Sequence, residues 1–221
     1  MNSRGLLEWI ENKYNQLFIL LFLLLISVSL PETHLVTKLT ILILFLGAMT
    51  SVIRRINPGR WWLKIYTGLV LTNLMVLGLQ IISILSRHTW NYEQIPMRLV
   101  LLTVISLSIM LIQRSAFSTQ QVTGDTLKGG IAVYVLLGIA WAIFYEIIYA
   151  LNPGSFNGIN PSQAQADLLH FSFITLTTVG YGDIHPVLTA ARVATTMEAI
   201  SGVMYPAILI SRLVSLYKPD A

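Results

Sequence analysis

Thr177, Thr178, Val179, Gly180, Tyr181, Gly182 and Asp183 form a run whose types and spacing suit one chemistry, the holding of a dehydrated cation. Rings of backbone carbonyl oxygens can replace a cation's hydration shell if the chain runs extended with its carbonyls turned one way. Glycines at alternate positions, Gly180 and Gly182, allow the positive-φ backbone that a residue bearing Cβ resists. The oxygens expected to line the path are the carbonyls of Thr178, Val179, Gly180 and Tyr181, with the Thr178 hydroxyl below them. The side chains of Val179 and Tyr181 are then expected to turn away, into packing.

The elements that must position this run are membrane helices. The 221 residues are 55% hydrophobic and 11% charged, against about 25% charged in soluble domains. No cysteine is present, which excludes disulfides, thiolate metal sites and cysteine nucleophiles. The net charge of +4 is spread between apolar runs and forms no nucleic-acid face. Apolar stretches predict spans at Leu17–Leu30 (uncleaved, since Pro31 and Glu32 follow directly), Leu35–Ile53 with Lys38 snorkelling, Ile65–Leu85 entered through Trp61 and Trp62, and Leu99–Ile112. The Arg54–Arg60 segment reads as a short basic turn, and Ser86–Pro96 as a polar loop. Ile131–Leu151 and Val187–Leu216 give the fifth and sixth spans. Between them a loop over Asn152–Pro161 leads to a helix at about Ala164–Leu176, with Ser162 and Gln165 at capping-box spacing. Roughly 13 residues make about 20 Å, too short to cross a bilayer, so this helix must be re-entrant. Its C-terminal partial negative charge favours a cation beyond it.

The seven-residue run, with its surroundings from Phe171 to Pro186, resembles the pore loop of the tetrameric P-loop potassium channels, bacterial and two-pore-domain members included. The resemblance covers roughly the last 90 residues well and the first half by helix count. It implies K+ as permeant ligand at Thr178, Val179, Gly180 and Tyr181, with Gly182 completing the filter, and no cofactor. One filter per chain implies a homotetramer in the lipid bilayer. The expected fold is an all-α membrane protein of six transmembrane helices with a re-entrant pore helix and filter loop. Its expected parts are a four-helix peripheral domain (1–113), a cytoplasmic linker (114–128, with Thr123, Gly124 and Asp125 as breaker) and a pore domain (129–221). Voltage-sensing relatives carry an arginine every third residue along the fourth span, whereas no Lys, Arg, Asp, Glu or His lies between Arg98 and Arg114. These two are read as interfacial anchors, and weak voltage dependence is expected. Only Tyr217–Ala221 follow the sixth span, so gating is expected in the membrane or from a separate regulatory subunit, lipid, pH or tension.

Counting Lys and Arg on alternate sides places ten inside and four outside if both termini are cytoplasmic, accounting for all fourteen. The filter then faces outward from a multi-pass protein of the plasma membrane. Around it, several residues carry two readings each. Relatives pin the carboxylate equivalent to Asp183 from behind, and here His170 is placed to donate to it, making filter stability sensitive to imidazole protonation; otherwise His170 packs on the pore-helix surface. Thr177 leads into the filter. Glu198 inside the sixth span either faces a cavity, where four copies attract cations, or lies hydrogen-bonded behind the filter. Gly202 hinges the last helix or packs closely, and Pro206 kinks it for gating or statically. His185 sits at the outer mouth as a loop residue or a pH-sensing ring, and Glu146 is read as capping or pairing locally.

Enzyme readings fail on geometry. Gly180–Asp183 also fits the Gly-x-Gly-Asp pattern of intramembrane aspartyl proteases, but Asp125, Asp167 and Asp220 all lie outside full spans and cannot share its proton. Ser172 and His170, two apart on a helix, point away from each other and cannot form a nucleophile pair. Potassium uptake proteins carry four degenerate filters in one chain, and this chain has one strict filter. A silent subunit modifying another channel is the remaining alternative.

Overall fold

A computed structural model describes residues 13–28, 35–56, 59–85, 94–118 and 124–216. The expectations for the N-terminal lead-in, for Pro31 and Glu32, for the Lys38 side chain, for the tip of the basic turn at Asn57 and Pro58, for most of the Ser86–Pro96 loop and for Tyr217–Ala221 lie outside those residues.

The protein is mostly helical: α1 Lys13–Val28, α2 Leu35–Ile56, α3 Arg60–Leu85, α4 Gln94–Ser118, α5 Gly124–Leu151, α6 Ala164–Leu176 and α7 Thr189–Leu216. A 3-10 turn at Pro153–Ser155 and two short strands, β1 Phe156–Asn157 and β2 His185–Pro186, lie around α6. The strands pair antiparallel, with Phe156 opposite Pro186 and Asn157 opposite His185. Helix is the form that apolar surroundings demand, since it satisfies every interior backbone group within one segment. Hydroxyls inside the helices follow the same rule: Thr50, Thr67, Thr72, Thr103 and Ser108 each bond the carbonyl four residues back.

Among the described residues, four helical stretches are long and apolar enough to cross a membrane: Arg60–Leu79, Ile95–Ser115, Gly124–Leu151 and Thr189–Leu216. The first two expected spans appear as shorter apolar stretches, Asn15–Ile26 and Leu42–Arg54. Two helices run beyond their expected bounds. α4 starts ahead of Leu99 and takes Pro96 into its first turn, where the missing N–H costs nothing. α5 starts at Gly124, with Asp125 in its first turn facing the positive helix end. The Gly-Asp pair expected to break the chain is therefore a helix start, and helix enters the expected 114–128 linker from both sides.

The main core joins the two halves. Leu17, Leu21, Phe45, Met49, Tyr66, Val104 and Ile105 from α1–α4 are buried together with Val133, Leu136 and Ile143 of α5. A second, aromatic cluster of Tyr145, Phe156, Leu168 and Phe171 fills the space behind the loop that follows α6. Tyr145, Phe156 and Phe171 form a closed triangle with ring centroids 5.2 to 5.5 Å apart, a spacing favourable for edge-to-face contact.

Candidate ion-conducting site

The site is built on the C-terminal end of α6. A helix end leaves its last carbonyls without partners, and here the loop beyond supplies them. The amides of Val179 and Gly180 both donate to Ile174 O, at 2.9 and 3.1 Å, and that of Thr178 donates to Thr175 O at 3.0 Å. Thr177 caps the turn by bonding Phe173 O through its amide and its hydroxyl. The Leu176 carbonyl accepts from Tyr134 Oη of α5 at 3.1 Å. Among the described residues no donor reaches the carbonyls of Thr178 through Gly182. The donors of Thr178 to Gly180 are thus tied down while the acceptors stay free, which is what a cation needs.

The sign of φ alternates along this loop. Thr178, Gly180 and Gly182 have φ of 61°, 55° and 81°, and Val179 and Tyr181 between them do not have positive φ. Alternating handedness turns successive peptide planes so that their carbonyls come to one side. The two glycines adopt this conformation freely, whereas Thr178 is β-branched and strained there. Strain of this kind persists only where the surroundings enforce it. Within one chain the expected packing of Val179 and Tyr181 is slight, and they are 52% and 71% exposed.

Around the loop, His170 Nε2 lies 3.5 Å from Asp183 Oδ2, both side chains about half exposed. The His170 ring also stacks on Tyr181 at 6.0 Å between centroids. His185 Nε2 lies 3.5 Å from Asn157 Nδ2 across the β1–β2 pair. The capping box does not form: α6 is preceded by Gln163 without a side-chain cap. Ser162 instead bonds Asn160 Oδ1, while Asp167 accepts from the Asn160 amide at 2.7 Å. One helical turn earlier, the loop closes over Gly158, where an added Cβ would stand 2.1 Å from the Asp183 carbonyl at a φ of 86°.

Glu198 is fully buried within a single chain, so the cavity-facing alternative is not the one built. Tyr145 Oη donates to its Oε2, and Ser172 Oγ lies 2.5 Å from its Oε1. Ser172 Oγ also sits 2.7 Å from Gly138 O. One carboxylate of α7 thereby ties the middle of α6 to α5. Gly202 is a place of close approach: a Cβ there would fall 2.0 Å from Leu176 O. α7 runs unbroken through Pro206, and beside it Tyr205 Oη donates to Gly130 O of α5 at 2.8 Å.

Glu146 pairs with Arg98 Nε at 2.8 Å. This is not the local pairing expected of Glu146, since it joins α4 to α5. Sequence reasoning did not identify Tyr134, Tyr145, Gly158 or Ser172 as parts of the site. A signal existed for Ser172, a hydroxyl amid apolar pore-helix residues, but its partner lies 26 residues away.

Residues 131–218, from α5 to the end of the chain's last helix, match the family described as "Ion channel". The chain is 35% identical over 83 residues to the two pore potassium channel c of Oryza sativa subsp. japonica, covering 37% of this chain and 17% of that one. It is 29% identical over 117 residues to the voltage-gated potassium channel Kch of Escherichia coli, covering 52% and 25%. Over 104 residues it is 30% identical to the two-pore potassium channel 4 of Arabidopsis thaliana, covering 47% and 36%. The matched part spans between about a sixth and just over a third of these relatives' lengths. No solved structure matches the chain significantly. Residues 131–218 thus match an ion-channel family, the chain is similar to potassium channels, and among the described residues four helices are long and apolar enough to cross a membrane.

Proposed function

We propose that the chain forms a potassium-selective channel that conducts K+ passively through a homotetrameric ring of the Thr178–Gly182 carbonyls. The observation that carries this reading is the coincidence of free carbonyls and alternating φ in that loop. Four copies supply the ring, and each contributes apolar surface with no cover inside the chain: Val179, Tyr181, Val193, Met197, Ile200 and Val203 are all more than half exposed. The reading keeps six spans, a re-entrant α6, both termini cytoplasmic and a plasma-membrane location. Gating enters through the membrane or an accessory subunit. Voltage dependence is weak, because α4 has no cation between Arg98 and Arg114 to move through the field.

The test is flux from liposomes carrying a potassium gradient, with oligomeric state measured on the same preparation. A tetramer with potassium flux that is lost in Gly180→Ala and Asp183→Asn supports the proposal. Potassium flux unaffected by both substitutions contradicts it. A conductance that rises steeply with voltage and is flattened by neutralising Arg98 or Arg114 contradicts the weak-gating part alone.

A further inference from the structure

The turn between α2 and α3 collects positive charge that the protein does not neutralise. No Asp or Glu occurs between Glu32 and Glu93, yet this stretch holds Arg54, Arg55, Arg60 and Lys64. Arg54, Arg60 and Lys64 are exposed, and no carboxylate among the described residues pairs with them.

Two hollows use these cations. One, of about 440 Å³, is lined by Gly47, Thr50, Ser51 and Arg54 along one face of α2. The other, of about 470 Å³, is lined by Arg60, Trp61, Lys64 and Ile65 on the first turns of α3. Arg60 and Lys64 stand one turn apart, with an apolar strip beside them in which Trp61 and Ile65 are 63% and 39% exposed. The amides of Arg60, Trp61 and Trp62 open the helix and have no intrahelical acceptor, the first bond being Leu63 N to Gly59 O. Donors, cations and helix dipole thus converge at the level where an apolar span begins.

We propose that the first turns of α3 bind the headgroup of an anionic phospholipid, with its phosphate on Arg60 and Lys64 and the start of its acyl chain along Trp61 and Ile65. A soluble phosphate would use the cations but gain nothing from the apolar strip, whereas a lipid uses both. The site is independent of the filter and stands or falls without it.

The test reads tryptophan fluorescence of the full chain in phosphatidylcholine vesicles that contain either brominated phosphatidylglycerol or an equal fraction of brominated phosphatidylcholine. The expected result is stronger quenching by the anionic lipid, lost in Trp61→Phe/Trp62→Phe. Each of Arg60→Gln and Lys64→Gln is expected to weaken the apparent affinity about fivefold, the effect of roughly one cation near an anionic surface. Retention of the wild-type melting temperature in these variants separates lost binding from lost fold. Equal quenching by the two lipids, or an excess that survives removal of both tryptophans, overturns the proposal. Competition by soluble glycerol phosphate at matched ionic strength overturns the lipid in favour of a free anion.

Discussion

The two halves of the molecule are held in different ways. In α5–α7, buried polar groups are matched: Glu198 is occupied at both oxygens, Tyr134 and Tyr205 each reach a backbone carbonyl, and Trp141 Nε1 donates to Ser201 Oγ at 3.3 Å. In α1–α4, packing is mainly aliphatic, joined by a link such as Ser108 to Tyr66 at 3.2 Å. There Asn73, fully buried, has no hydrogen-bond partner for either side-chain atom among the described residues. Apolar contact sets proximity without setting angles, whereas hydrogen bonds fix both. The half that must hold carbonyls in register is the half where directional bonds accumulate.

The sharpest way to break this contrast is to push the pore half apart at its closest approaches. Gly202→Ala and Gly158→Ala each force a methyl group into a backbone carbonyl, and Gly158 adds the strain of a positive φ. Each is expected to cost more than about 3 kcal/mol, beyond ordinary overpacking, because backbone cannot rotate aside as a side chain does. Thermal unfolding of the reconstituted protein measures it. Unchanged stability and open probability in Gly202→Ala would remove the close-packing account.

Next in size is the carboxylate that joins the three pore helices. Glu198→Ala leaves the buried Tyr145 hydroxyl without this acceptor, at an expected cost of about 1–3 kcal/mol, while Ser172 keeps Gly138 O at 2.7 Å. Glu198→Gln keeps the shape and is expected to lose less. The order Ala, then Gln, then wild type in melting temperature checks the bonding role, and equal loss in both variants would speak against it.

The peripheral half is expected to respond in the opposite direction. Replacing Asn73 by Leu removes an unpaired buried amide and should raise stability by about 1–2 kcal/mol. A loss of stability instead would mean that the two halves are not held so differently.

The smallest effect concerns His170. Its ring stacks on Tyr181 and its Nε2 lies 3.5 Å from Asp183 Oδ2, so His170→Phe keeps the stack and loses the polar contact. Inactivation is expected to quicken slightly in His170→Phe. Equal inactivation of the two would leave His170 as a stacking partner of Tyr181 alone.

How much of this could be read from the sequence depended on the range of the interaction. α6 lies at Ala164–Leu176, the bounds its apolar stretch predicts, because helix length and flanking turn residues are local signals. Gly180 and Gly182 announced their positive φ by having no Cβ. Thr178 did not, since its type argues against that conformation and only the bonds from α6 hold it there. Glu198 was visible as a costly buried carboxylate, but its partners come from two other helices. The partner of Arg98 was hidden because Glu146 stands 48 positions later. The capping box failed because Asn160 takes the Ser162 hydroxyl first.

Selection of potassium by the Thr178–Gly182 carbonyls is read from the reversal potential of the reconstituted chain as sodium replaces potassium on one side. A reversal potential that follows the potassium gradient is the expected result. Equal permeation of the two ions would contradict it, meaning that the loop does not hold its carbonyls at the spacing a dehydrated potassium ion requires.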